Sequence, residues 1–224
     1  MLFLPSLLEY STASLQTKLE LIKDNLTKFQ AVQKSADQKI YLHLDFVLPD
    51  FAASRFVQSG NDPKIVFDLI DSHFYGQKVV CNSHFMGLTN DIKGVLAFFK
   101  SYSWNLNWEY ILYVGQEFLQ DFEQFKKFDN LKVGIWLDLD QYNVETKFEL
   151  SDYLLMTVLA GKSGQKLAID TRSKTLEIVK QNPNINFTID GGWSVDDEVS
   201  ELSLKQKNNL SVVSYSSFWK AFES

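Results

Sequence analysis

The sequence predicts an α/β chain folded as a (β/α)8 barrel, and three observations predict it. Eight short apolar or alternating runs recur along the chain, interleaved with segments whose apolar residues repeat at helical spacing. The 224 residues fall in the range of roughly 200 to 250 that such barrels commonly occupy. No Pro/Gly/Ser-rich linker divides the chain, so residues 1–224 read as one domain, with a doubly wound open sheet as the runner-up.

The first strand is the apolar start, Met1-Leu2-Phe3-Leu4-Pro5-Ser6-Leu7-Leu8. Ser11 or Thr12 can then cap a helix that carries Leu15, Leu19, Ile22, Leu26 and Phe29 on one face. In the second strand, Ile40–Val47, the residues Ile40, Leu42, Leu44 and Phe46 share an apolar face, which leaves His43 and Asp45 together on the other. Asp62-Pro63 supplies a cap and a first-turn proline for a helix with Ile65, Val66, Leu69 and Ile70 on one face. Val79-Val80-Cys81 reads as a short buried strand leading to His84, and Thr89 starts a helix with Ile92, Val95, Leu96 and Phe99. Strand four covers 110–114 and precedes a helix bearing Phe118, Phe122 and Phe125; strand five covers 131–137 and precedes a short helix over 144–150. Strand six covers 153–158, and a glycine-bearing loop at 161–164 leads to a helix that ends near Lys180, stopped by Asn182-Pro183. Asn186–Asp190 is the seventh strand and Leu210–Ser214 the eighth, with helical segments after each.

Composition narrows the partners. A content of 45% hydrophobic and 22% charged residues is that of an ordinary soluble protein with a sizeable core. The net charge is -6, and Lys and Arg are scattered among acidic neighbours, which argues against nucleic acid and anionic membrane as partners. The apolar start has no basic leader and is broken by Pro5, so it reads as a strand rather than a signal peptide or a membrane span. Cys81 is the single cysteine, which leaves no disulfide framework and makes a reducing cytoplasm the simplest compartment. Trp104 and Trp108 flank a connection at the far end of the barrel, where packing or a homo-oligomer contact would each use them.

The barrel gives every strand face a meaning, since inward side chains fill the barrel and chemistry collects where strands run into their following loops. His43 and Asp45 lie opposite the apolar set and therefore point inward. His-x-Asp on a strand suits a metal-ligand pair or an acid/base pair, and equally an ion pair of structural use. His84 lies at the end of strand three, and Asp190 closes strand seven on the same face as Asn186 and Thr188. Two His and two Asp, far apart in sequence, thus converge on one mouth.

Further residues extend the pattern: Pro5-Ser6-Leu7-Leu8 on strand one, His43-Leu44-Asp45, His84-Phe85-Met86, Met156-Thr157-Val158 with Gly161 and Gly164-Gln165-Lys166, Ile189-Asp190-Gly191-Gly192, and Ser216 after strand eight. This set, in this order, resembles ribulose-phosphate 3-epimerase from one end of the chain to the other. The resemblance implies a TIM barrel of the ribulose-phosphate binding type that interconverts D-ribulose 5-phosphate and D-xylulose 5-phosphate. It implies that His43, Asp45, His84 and Asp190 hold one divalent metal, zinc first, with Mn and Fe(II) also suited to these donors. Asp45 and Asp190 would be the acid/base pair. Inverting a carbinol carbon beside a ketone takes a proton from one face and returns one to the other, and a cation stabilises the enediolate formed between the two steps. The sugar phosphate would be held by Ser6, Met86, Met156, Gly161, Gly164, Gly191, Gly192 and Ser216, with Ser216 also capping the last helix.

The chain departs from the family in its loops. Met-Asp-Gly-His-Phe after the strand-two Asp is replaced by Phe46 and then Val47-Leu48-Pro49-Asp50-Phe51, with extra residues up to Asn61, which predicts a reshaped lip. The strand-six loop reads Leu159-Ala160-Gly161-Lys162-Ser163-Gly164-Gln165 in place of Asn-Pro-Gly-Phe-Gly-Gly-Gln, Trp193 replaces a small aliphatic residue, and Tyr215 replaces a glycine beside the phosphate. These departures leave open an epimerase of another ketose phosphate, such as a hexulose 6-phosphate, and a catalytically silent ligand-binding barrel.

Overall fold

A computed structural model describes residues 1–8, 11–35, 37–125, 127–141, 149–160, 165, 167, 169–194 and 199–224. Its eight strands are β1 (Leu2–Pro5), β2 (Ile40–Val47), β3 (Val79–Met86), β4 (Glu109–Val114), β5 (Leu131–Leu137), β6 (Asp152–Met156), β7 (Asn186–Asp190) and β8 (Leu210–Ser214). All neighbours are parallel, in the order β1-β8-β7-β6-β5-β4-β3-β2. The ring joins at its C-terminal rim, where Ser6 bridges to His43 and the Leu7 N–H donates to the His43 carbonyl at 2.9 Å. The chain is therefore a TIM barrel, as the alternation of runs predicts. Outside it lie α1 (Thr12–Asp24), α2 (Leu26–Gln33), α3 (Pro49–Arg55), α4 (Pro63–His73), α5 (Thr89–Ser101), α6 (Leu119–Phe122), α7 (Ile169–Gln181), α8 (Leu204–Asn208) and α9 (Ser216–Glu223). Among the described residues no helix is long and apolar enough to cross a membrane.

Local chemistry explains the boundaries. The Ser11 hydroxyl accepts from the Ser14 N–H at 3.2 Å and the Asp62 carboxylate from the Lys64 N–H at 2.7 Å, so both predicted caps are made. The first predicted helix is in fact two, divided at Asn25, whose side chain donates to the Leu21 carbonyl. The helix predicted around Phe118, Phe122 and Phe125 is a one-turn α6 between two 3-10 turns, although all three rings are buried. The helix predicted over 144–150 falls mainly on 142–148, outside the described residues, and 149–150 are not helical.

Two corrections matter for the site. Strand β3 continues past Cys81 to Met86, so His84 lies within the strand and Asn82 joins the inner face. The lip after β2 folds into a helix that the sequence reading did not anticipate, α3. The Asp91 carboxylate of α5 accepts from the Asp50 and Phe51 N–H groups, each at 3.0 Å, and from the Leu88 N–H at 3.0 Å. One side chain thus satisfies first-turn donors of α3 and closes the start of α5.

Alternation along the strands divides the core in two. Outward residues such as Ile40, Leu42, Leu44, Phe46 and Phe85 pack under the helices, with Phe46 and Phe85 stacked at 4.7 Å. Phe29 of α2 meets Phe218 and Phe222 of α9 edge-on, each at 5.4 Å, and thereby docks the last helix beside the first two. Trp104 lies 4.7 Å from the Tyr110 ring and Trp108 is fully buried, so both tryptophans serve packing. Inside the barrel, Leu8, Val47, Met86, Tyr113, Trp136, Leu154 and Met156 form a second apolar cluster, roofed by Phe51 and Ala52 of α3.

Candidate metal centre and active site

Four strand positions build the site. Asp45 and His84 are register partners on β2 and β3, His43 stands two residues before Asp45, and Asp190 ends β7. All four are buried, with His43 and His84 at 0% exposure. His43 Nε2 lies 3.1 Å from Asp45 Oδ1 and 3.6 Å from Asp190 Oδ2, and His84 Nδ1 lies 3.4 Å from each of the same two oxygens. The donors therefore alternate, each imidazole nitrogen between two carboxylates, and one ligand atom from every residue lies within 4.8 Å of the others.

This group fits a divalent cation. An ion with bonds of about 2.0–2.2 Å to nitrogen and oxygen separates its ligands by roughly 3–3.5 Å, close to the spacings found. Among the described residues the fully buried His84 ring nitrogens make no hydrogen bond of acceptable geometry; the contacts of the ring with the carboxylates stay at ion-pair range. A buried imidazole with an orphaned lone pair facing two carboxylates is a ligand set in want of a charge. Two carboxylates and two neutral imidazoles balance one dication, and without the ion the carboxylates favour the protonated form of each ring. Burial pulls the His43 pKa down, but the Asp45 and Asp190 carboxylates outweigh it and push the ring up to about 10. His84 is likewise raised by Asp190 and Asp45 against its own burial. Burial would raise Asp45, yet the His43 and His84 rings hold it well below the usual carboxylate range.

The carboxylates are held differently. The Ser6 hydroxyl donates to Asp45 Oδ2 at 2.6 Å and also accepts from the Leu8 N–H at 3.3 Å, so Ser6 pins Asp45 across the join of the barrel. Asp190 is fixed through its backbone: its carbonyl accepts from the Thr157 N–H at 2.8 Å and from the Thr157 hydroxyl at 3.0 Å. The Thr157 hydroxyl also contacts the Gly191 carbonyl. Gly191 and Gly192 take φ of +104° and +72°. A Cβ on Gly191 would stand 2.2 Å from Val158 Cγ2, and one on Gly192 2.6 Å from the Leu167 backbone nitrogen, so the pair is required by space and conformation together.

The remaining predicted residues divide. Met86 and Met156 are buried in the apolar cluster inside the barrel, and Met156 pairs with Asp190 in register. Ser216 is exposed at the start of α9, but it does not cap it: the N-cap is Tyr215, which makes no side-chain cap bond. Tyr215 instead packs on the helix-layer core, its hydroxyl accepting from Lys18 Nζ of α1 at 3.0 Å. Gly161 and Gly164 lie outside the described residues.

Sequence reasoning missed Asn82 and the Arg55–Asp138 pair. Asn82 accepts at 2.7 Å from His43 Nδ1, and its position two residues before His84 would have flagged it had the strand been drawn long enough. Arg55, the last residue of α3, donates from Nη2 to the buried Asp138, just past β5, at 3.0 Å. That pair ties α3, which follows β2, to the end of β5, with β3 and β4 between them in the sheet, while Phe51 meets Trp136 edge-on at 6.3 Å and Trp136 meets His84 at 5.0 Å. No protein-family model matches the chain and no curated protein matches it significantly, so the chemistry of the site is read from these residues.

Proposed function

We propose that the chain is a metal-dependent carbohydrate-phosphate epimerase interconverting D-ribulose 5-phosphate and D-xylulose 5-phosphate. The observation that carries this reading is the alternating ring of His43, Asp45, His84 and Asp190, buried at the C-terminal mouth of a TIM barrel. Those four side chains would hold the ion, zinc first, with Mn or Fe(II) also suited. When bound, the cation supplies the charge that polarises a ketone and offsets the negative charge developing on substrate oxygens.

The proton work falls to the two carboxylates. Asp45 and Asp190 project from β2 and β7, which are separated by β1 and β8 around the wall. A substrate carbon lying between them offers one face to each, so one carboxylate takes the proton and the other returns one to the opposite face. The Ser6 hydroxyl fixes the orientation of Asp45 for this exchange. Phe51 and Ala52 of α3, over Trp136 and Met86, make one wall of the mouth apolar and would limit water there. The phosphate of the sugar would lie on the backbone of Gly191 and Gly192 and on the first-turn N–H groups of α9 near Ser216.

The test is purified protein supplied with Zn, Mn or Fe(II): D-xylulose 5-phosphate forms, and the carbinol hydrogen exchanges with deuterated solvent. If neither occurs with metal bound, the reading fails and an inert ligand-binding barrel takes its place. The lip helix α3 bears on recognition rather than on proton transfer, so a hexulose 6-phosphate stands as the alternative substrate for the same chemistry. Rates measured across pentulose and hexulose phosphates separate the two.

A further inference from the structure

The proton chemistry above makes no use of Asn82, yet this side chain touches the ring of donors. It lies on β3 two residues before His84, faces the barrel interior and is 4% exposed. Its Oδ1 is 2.7 Å from His43 Nδ1, its Nδ2 donates to Thr188 Oγ1 at 3.2 Å, and Thr188 Oγ1 is 3.0 Å from the Tyr113 hydroxyl. All four residues are buried, so water does not compete for these bonds.

The direction of the chain follows from its upper end. His43 turns Nε2 toward Asp45 and Asp190, so a cation among them takes the Nε2 lone pair and the proton of the neutral ring must sit on Nδ1. An N–H at that place needs an acceptor. The amide oxygen of Asn82 is one, whereas its NH2 group would set donor against donor. With Oδ1 committed to His43, Nδ2 is left to donate to Thr188, and Tyr113 completes the chain below.

We infer that Asn82, backed by Thr188 and Tyr113, is the positioning residue of the metal centre: it locks His43 in the Nδ1–H tautomer and in the ring orientation that offers Nε2 to a divalent cation. The inference rests on the metal-centre reading of the four-residue ring. His84 provides the contrast: among the described residues its ring makes no hydrogen bond, and beyond its ion-pair contacts with Asp45 and Asp190 it is held by packing, 5.0 Å from Trp136 at 62°. Of the two rings only His43 has its far nitrogen fixed by a hydrogen bond, and Asn82 supplies it. Groups that orient a metal-binding histidine in this way are worth about 10- to 100-fold in metal affinity.

The experiment is a chelator-competition titration of the full chain with Zn and with Co(II), run on the native protein, Asn82→Leu and Asn82→Asp. Asn82→Leu is expected to weaken both metals by about 10- to 100-fold and to alter the Co(II) visible spectrum, whereas Asn82→Asp, which keeps an acceptor oxygen in place, restores tight binding. Nitrogen-15 shifts of the His43 ring in the zinc-loaded native protein read the tautomer without any variant, and they should show Nδ1 protonated and Nε2 bound to metal. A protonated Nε2, or undiminished affinity in a folded Asn82→Leu, overturns the role of Asn82 alone. Failure of the native chain to take up either metal overturns the metal-centre reading and this inference with it.

Discussion

At the scale of single residues, the proposed metal centre would set protons and a cation in contest for the same donors. The raised His43 pKa of about 10 means that, below that pH, an entering ion must displace a proton. Metal affinity should therefore rise with pH through neutrality and level off above about pH 10, and calorimetry near pH 7.5 in buffers of different ionisation enthalpy should report about one to two protons released per ion. Absence of release would mean that the rings are already neutral. Asp190→Asn keeps the shape of the side chain but cannot act as a base, so it should lower solvent-deuterium exchange by a factor of at least about 10² to 10⁴ while the protein still folds. Gly191→Ala is of another kind: a Cβ 2.2 Å from Val158 at φ +104° should cost about 2 to 4 kcal/mol, visible as a lowered unfolding midpoint in denaturant.

At the scale of elements, α3 is the part of the molecule that belongs to this chain's own lip. It is seated by Asp91 at its start and by the Arg55–Asp138 pair at its end, and its Phe51 and Ala52 cover the apolar cluster inside the barrel. Because Arg55 is 41% exposed, Arg55→Ala should change global stability by no more than about 1 kcal/mol. Amide exchange confined to residues 49–60 should nevertheless accelerate, since the pair is what holds the free end of the helix down. Unchanged exchange there would remove the pair from any such role. The reasons why some elements were legible in the sequence and others were not are physical. Strand β2 shows its full length because four apolar residues alternate with polar ones, and Asp62-Pro63 announces α4 because both cap and first-turn proline are local. The end of β3 was hidden because Asn82, Ser83 and His84 look like a strand running into solvent, when two of them face a polar interior that only the closed barrel creates. Helix α3, seven residues long, is too short for an apolar period to emerge, and its start is held by Asp91, some forty positions away. The four ring residues were visible as polar groups on inward faces; their spacing and the Ser6 and Asn82 contacts depend on tertiary structure.

At the scale of the whole molecule, the ring of donors straddles the place where the barrel joins. Strand β1 is paired with β8 along its length but meets β2 through the Ser6–His43 bridge, and the Ser6–Asp45 hydrogen bond crosses the same join. Strands β2 and β3 lie on one side and β7 on the other. A bound ion should therefore stabilise the closed fold by about 4 kcal/mol at a thousandfold excess over its dissociation constant. For a chain of this length that raises the melting temperature by on the order of 10 °C, reversed by a chelator. The same placement has a consequence for the order of folding. His43, Asp45 and His84 all come from the second and third strands and Asp190 from the seventh, so the set of donors is complete only once β7 has joined the sheet. Tight metal uptake during refolding would then act as a clock that starts when the seventh strand docks.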